Sequence, residues 1–368
     1  MAATTRLFAF AVLLAACGAI GPPRPDGGSG GGTGGGTVTG GGGGAIGGGG
    51  GATGGGGATG GGGATGGGGG TGGGTEAPWT EMALQVPTGT MGSVQQLAAR
   101  PGEIWALIAN QYVLYSVGGR FNEVRVYSSP IVDLMQLSGS GAAAITVFNT
   151  LSSCLTNCEG GANFDDFGFP GAMALCGSAD YLGVMTRTPD AGAALYEQTP
   201  ASTWNLVSKV NLRSPLDCAR TTRGEVFVAG TGAVASAIDG GFALEIPDVT
   251  SLGRVSANEA WSKIGTDGTS VFAASVRGAV ARRPEAGGWS VATALNGEIS
   301  AIAVESANEV WVVGTGVGLA RFNGTQWIPA GAGPTQLTSF EALALESSHV
   351  YVGGRDAAGV ARIFRRLR

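Results

Sequence analysis

Ser306 to Trp327 reads SANEVWVVGTGVGLARFNGTQW: a polar turn, an apolar run, a glycine-rich break, a second apolar run, Asn-Gly and a tryptophan. Runs of four to six residues rich in Val, Leu and aromatics, bounded by turn residues, are the pattern of short β-strands. Asn323-Gly324 between two such runs predicts a type I′ hairpin, because both residues tolerate positive φ. Upstream, Ile299 to Val304 (ISAIAV) supplies another apolar run, and Thr325 to Ala330 (TQWIPA) a further one. The stretch therefore predicts four short antiparallel strands.

Degraded copies of this unit fill most of the chain. Its first apolar centre recurs as Trp105, Ile145, Tyr181, Phe227, Phe272, Trp311 and Tyr351, every 36–46 residues. A closing aromatic forms a second series, Trp79, Phe121, Phe164, Trp204, Phe242, Trp289 and Trp327, every 38–47 residues. Both series count seven units, although Ile145 and Phe164 mark the same degraded copy. Four strands repeated at this period describe a β-propeller, here all-β and seven-bladed, with six or eight blades as the alternative counts. A solenoid is disfavoured because its unit length would be constant. The two series are offset: Trp79 precedes the first complete unit, and the last unit (337–367) lacks a closing aromatic. WTEMAL (79–84) is therefore expected to supply the outer strand of the last blade and close the ring, hiding strand edges that would otherwise stay open.

The pattern S-x-N-E-V-W-x-V-G followed by F-N-G-x-x-W resembles propeller repeats of large secreted and lipid-anchored proteins of myxobacteria and related groups. The likeness is good at 306–327, partial at 223–242 and 266–289, and faint before 181. WD repeats are a poorer match, since their Trp-Asp and Gly-His marks are missing, and kelch repeats carry a more regular Gly-Gly pair. NGTQW is distantly similar to an Asp-box. The resemblance implies a fold and an extracytoplasmic setting, and no activity.

The amino terminus points to the same setting. Arg6 precedes ten apolar residues, Leu7 to Ala16, too short to span a bilayer. Leu14-Ala15-Ala16-Cys17 then resembles a bacterial lipobox, which implies a signal peptide at 1–16 and acylation of Cys17. Several acyl chains hold a protein at a membrane where one does not. Gly18 in place of Asp suggests the outer membrane or cell surface. The chain has 71 glycines, concentrated between Gly27 and Gly74, where GGGGAT repeats. Such a segment has no side chains to build a core, so 17–75 is expected to be a disordered tether reaching roughly 40 Å. The foldable body is 76–368.

Two of the 21 Lys and Arg and one of the 26 Asp and Glu precede residue 76, leaving the body at −6. Nucleic-acid binding is disfavoured by that charge. Four cysteines follow Cys17: Cys154, Cys158, Cys176 and Cys218. In an exported chain they predict two disulfides, with three connectivities open. Cys176 and Cys218 occupy similar places in neighbouring units and would pair across adjacent blades, leaving Cys154 with Cys158. No metal or other cofactor is expected, because Cys-x₃-Cys has no matching second pair and His349, the only histidine, lies in a repeat turn.

The repeat is poorest at 149–171, where Glu159, Asp165 and Asp166 accompany Phe164, Phe167 and Phe169. Acids and aromatics on a stapled loop suit calcium, a sugar or a protein partner, or else cover a weak blade. The C-terminal run ARIFRRLR offers Arg362, Arg365, Arg366 and Arg368 either to anionic polymers or to solvent. No nucleophile motif or acid–base pair is recognisable, so the chain is expected not to be an enzyme. The expected function is a monomeric, membrane-anchored lipoprotein of the cell envelope whose propeller binds or scaffolds. The alternative is a carbohydrate-active hydrolase or lyase. Carboxylates with perturbed protonation at the channel mouth would favour the enzyme, and an Ala, Gly and Ser lining would favour binding.

Overall fold

Seven antiparallel sheets surround a central channel in the computed structural model. It describes residues 77–368 apart from 88–89, 138–140, 149, 155–157, 159–163, 179–180, 189, 191, 199–202, 213, 239–240 and 246–258. Cys17, the glycine-rich tract and Glu159 lie outside the described residues, which contain no α-helix. The first strands of blades 1 to 7 are Val94–Arg100, Ile131–Gln136, Ala172–Ser178, Asp217–Arg220, Trp261–Thr266, Ala301–Ser306 and Leu337–Leu345. Three further strands follow each, except in blade 7, whose fourth strand is Thr80–Glu81 from the beginning of the body. The fold is thus the seven-bladed propeller that the two aromatic series predict.

Glycine-rich turns and alternating apolar residues let each blade bury both faces against its neighbours. Trp105, Phe227, Phe272, Trp311 and Tyr351 all lie on second strands and are at most 2% exposed. Each pairs with a small residue of its first strand: Ala98, Ala219, Gly265, Ala303 and Ala344. In blades 2 and 3 the equivalent residues are Ala143 and Gly183. Ile145 and Tyr181 are therefore on the expected strands but two residues out of register. In blade 3 the tyrosine ring covers the gap itself, since a Cβ on Gly183 would come within 2.9 Å of Tyr181 Cε1.

The 3→4 connection of blade 6 corrects the expected hairpin. Among Asn323 and Gly324 only the glycine has positive φ, 92°, whereas a type I′ turn requires it at both. Asn323 instead uses Oδ1 to accept from the Thr325 and Gln326 amides, 3.1 and 3.0 Å away, in a four-residue Asx turn. Asp267-Gly268-Thr269-Ser270 makes the same turn, with Oδ1 accepting from the amides of Thr269 and Ser270.

Ring closure uses WTEMAL in two parts. Thr80–Glu81 pairs antiparallel with Arg365 and Phe364 of blade 7, and the Met82 amide donates to Ile363 O at 2.9 Å. The chain then crosses to blade 1, where Ala83–Leu84 pairs parallel with Arg120–Phe121 as a fifth strand. Only the first half closes the last blade, because Met82 turns inward at the crossing, 3% exposed among Val94, Ile104, Tyr351 and Ile363. Trp79 donates its indole N–H to Ala332 O at 2.8 Å, and the Arg366 guanidinium lies 4.6 Å over its ring. Met82→Ala should lower stability by about 2–4 kcal/mol through lost burial and the cavity left behind. Deletion of 79–84 should do more, as measured by urea unfolding followed through tryptophan fluorescence. An unchanged midpoint for the deletion would refute the crossing as the ring closure.

Candidate binding channel

The first strand of every blade has one edge on the channel, so part of its backbone is unpaired by the sheet. Each also begins with a bulge. In five blades the register slips by one residue there, as between Ile131 and Asp133. In blades 4 and 6 the amides of Leu216 and Ser300 bond the carbonyls opposite Asp217 and Ala301. The residue that follows the bulge is Gln96, Asp133, Ala174, Asp217, Lys263, Ala301 and Ala342 in blades 1 to 7. The next residue, Leu97, Leu134, Leu175, Cys218, Ile264, Ile302 and Leu343, turns its amide away from the second strand and toward the channel.

Two carboxylates take up four of these amides. Asp133 accepts from Leu134 N at 2.9 Å through Oδ1 and from Leu175 N of blade 3 at 2.6 Å through Oδ2. Asp217 repeats the arrangement two blades on, with Cys218 N at 2.8 Å and Ile264 N of blade 5 at 3.0 Å. Gln96 Nε2 of blade 1 adds a bond to Asp133 Oδ1. Between the two acids, Cys176 and Cys218 join the first strands of blades 3 and 4 in a disulfide. Blades 1 to 5 are thus stapled in succession at one level of the channel. Cys154 and Cys158 form the second disulfide.

Burial raises the pKa of both acids, and Asp217 is pushed up to about 6. The Lys263 charge pulls both down, and Asp133 pushes Asp217 further up. Both carboxylates line an open cavity of about 520 Å³. Leu97, Leu175, Ile264, Ile302 and Leu343 line this cavity together with the acids and Gln136. The wall is therefore neither of the two linings that would separate enzyme from binder. Asp133 and Asp217 have raised pKa values, yet both oxygens of each accept backbone N–H groups from two blades.

Among the loop residues singled out from sequence, Phe164, Phe167, Phe169 and Asp166 serve packing. Phe164 is 9% exposed and meets Trp105 edge to face at a centroid distance of 6.5 Å. Asp165–Gly168 is the fourth strand of blade 2. Asp166 pairs with Arg125 at 2.7 Å and accepts from Ser152 Oγ, and Asp165 is exposed. Phe167 packs behind Phe169, whose ring meets Tyr196 and Trp204 at 5.3 and 4.9 Å. These aromatics floor an open outer groove of about 610 Å³. The C-terminal arginines are also engaged: Arg362 with Glu81 and Asp356, Arg366 with Ala330 O, and Arg368 with Glu305 and Glu309. Asp133, Asp217, Gln96, Gln136 and Lys263 are absent from the sequence-based site. A signal was present in VDL and LDC, where one acid interrupts an apolar first strand at the same place in two units.

No protein-family model matches the chain, and no curated protein does. Solved structures do. YCF48 bound to D1 peptide superposes with a TM-score of 0.59 at 14% identity, covering 79% of this chain and 97% of its own. The WD40 repeats of RRP9 give 0.61 at 11%, covering 80% and 99%. The WD40 propeller domain of Doa1 gives 0.56 at 11%, covering 78% and 97%. At these identities the likeness is one of fold.

The raised pKa of Asp217 has a definite sign. Its native value lies above the unfolded one, so the native state binds more protons between about pH 4 and 6 and loses stability as pH rises through that window. Asp217→Asn cannot titrate. The stability of the native chain relative to this variant should therefore fall by up to about 3 kcal/mol from pH 4 to 7, read from paired urea titrations; a constant difference would contradict the shift. The disulfide gives an independent check. With 42 residues separating Cys176 from Cys218, replacing both by Ala should cost about 4 kcal/mol, seen as a lower thermal midpoint.

Proposed function

We propose that the chain is an extracytoplasmic lipoprotein whose propeller is a binding or scaffolding module. Acylated Cys17 anchors it at the outer membrane or cell surface, and the glycine-rich tract carries the body away from the membrane as a monomer. The observation that carries the binding reading is the channel wall. Asp133 and Asp217, the two channel acids with raised pKa, are committed to backbone amides of adjacent blades, an arrangement suited to holding a rigid ring around a cavity. Two disulfides support an oxidising compartment, as do the leader and the lipobox. Among propellers of similar fold, YCF48 holds a peptide, which is the kind of ligand a rigid propeller suits.

A carbohydrate-active hydrolase or lyase is the second reading, favoured by one observation: Asp217, with a pKa of about 6, faces the cavity. Two experiments test the proposal. In a lipoprotein-exporting host, the chain should incorporate labelled palmitate and sediment with membranes, and Cys17→Ser should do neither. Soluble Cys17→Ser protein should retain envelope protein or glycan in a pull-down without turning it over. Turnover that disappears in Asp217→Asn would replace the binding reading with the enzymatic one.

A further inference from the structure

The staples around the channel stop short of completing the ring. Asp133 and Asp217 each bridge the channel-facing amide of their own blade to that of the next, which accounts for blades 2 to 5. In blades 6, 7 and 1, which are contiguous around the ring, the equivalent amides belong to Ile302, Leu343 and Leu97. The residues in the capping position there are Ala301 and Ala342, too short to reach, and Gln96, whose side chain is turned to Asp133. None of the three amides has a side-chain partner among the described residues. All three residues line the 520 Å³ cavity.

What favours an anion at this open arc is its row of backbone N–H donors. Lys263 occupies the capping position in blade 5, beside blade 6, and its charge also acts on Asp133 and Asp217, while Glu305, a third carboxylate lining the cavity, is paired with Arg368. The same cavity holds an independent sign of a missing ligand. Gln136 is 7% exposed and lines it, and neither its amide nitrogen nor its oxygen has a partner. A buried primary amide left without partners costs free energy that a bound donor and acceptor recover.

The geometry points to a ligand carboxylate seated on two neighbouring amides of the Ile302, Leu343 and Leu97 arc, reproducing in trans what Asp133 and Asp217 do in cis, with the rest of the ligand within reach of Gln136. The spacing is right by construction, because in this ring one carboxylate spans the amides of two neighbouring blades at 2.6–3.0 Å. Charge-assisted bonds to backbone N–H groups are the strong kind, and amides fixed in first strands need no reorganisation to make them. The carboxylate belongs either to a free small acid or to a peptide chain end, and a cavity of this size admits both. This assignment rests on the reading of the propeller as a binding module and adds the ligand class.

The test is calorimetric titration of the full chain at neutral pH with N-acetylglycine, with N-acetylglycinamide as its neutral twin and acetate as the bare carboxylate. The acid should bind at least about tenfold more tightly than the amide, given two charge-assisted bonds lost. Tighter binding of N-acetylglycine than of acetate assigns the site to chain ends, and equal binding assigns it to free acids. Ala301→Asp should fill the arc from within, as Asp133 does, abolishing binding of the acid and raising the thermal midpoint. Ala342→Asp, which would cap Leu343 and Leu97, repeats the test from the next blade. Equal affinity for acid and amide, no binding of any probe, or unchanged affinity in both variants would overturn the assignment. Should neither variant fold, the comparison of acid with amide decides alone. A chain that fails to discriminate but still retains a partner in the pull-down loses the ligand class and keeps the binding reading.

Discussion

The bonds that tie each first strand to the next around the channel are the constraint on which this propeller depends. A first strand is an edge, and its inward amides are buried in a narrow space where an unmet donor is costly. Asp133 and Asp217 answer this for blades 2 to 5, and the disulfide between Cys176 and Cys218 joins the two acid staples. A carboxylate suits the task because its two oxygens can face two blades at once. The desolvation that raises both acids' pKa values is the consequence of placing them there.

Around the outside, closure is handled differently. The crossing at Met82 places one short segment in two sheets, antiparallel to blade 7 and parallel to blade 1. Opening the ring at this seam would unpair both and expose Met82 together with its apolar neighbours. The arginines have a related role. Arg125, Arg220, Arg282, Arg283, Arg321 and Arg366 each lie over an aromatic ring, at distances from 3.5 to 5.7 Å. Arg283 also pairs with Glu225 and Glu245 at 3.2 and 3.0 Å, and Glu245 accepts from the Trp289 indole at 2.6 Å. A planar guanidinium can stack and bond in its plane at the same time, which an ammonium cannot. That supplies a structural use for the preference of arginine over lysine in this body.

Much of the architecture is legible in the spacing of aromatics, because each blade needs one large side chain on its second strand and another near its outer edge. The legible part ends at register. Ser256 to Trp261 repeats the SANE-x-W of Ser306 to Trp311, yet Trp261 opens a first strand while Trp311 lies in a second. Local pattern specifies a turn followed by a strand, and the position of that strand in the sheet depends on its neighbours. Ile145 and Tyr181 show the same limit at finer scale, two residues away from the register that Ala143 and Gly183 fill. The acids and aromatics of 164–169 stand out in sequence because the repeat fails there, and packing of a weak blade accounts for the aromatics and for Asp166.

The sequence by itself determined the strand content, seven repeats, the offset that demands closure from the amino-terminal side, and the cysteine pairs that repeat position favours. These follow from composition and period, which are properties of neighbouring residues along the chain. Only the tertiary structure decided that Asp133 and Asp217 are staples, that Met82 is the point where the closing segment changes blades, and that three inward amides have no side-chain partner among the described residues. Each of those facts joins residues tens to hundreds of positions apart. Their physical cause, the meeting of strand edges around a closed ring, does not exist until the ring has formed.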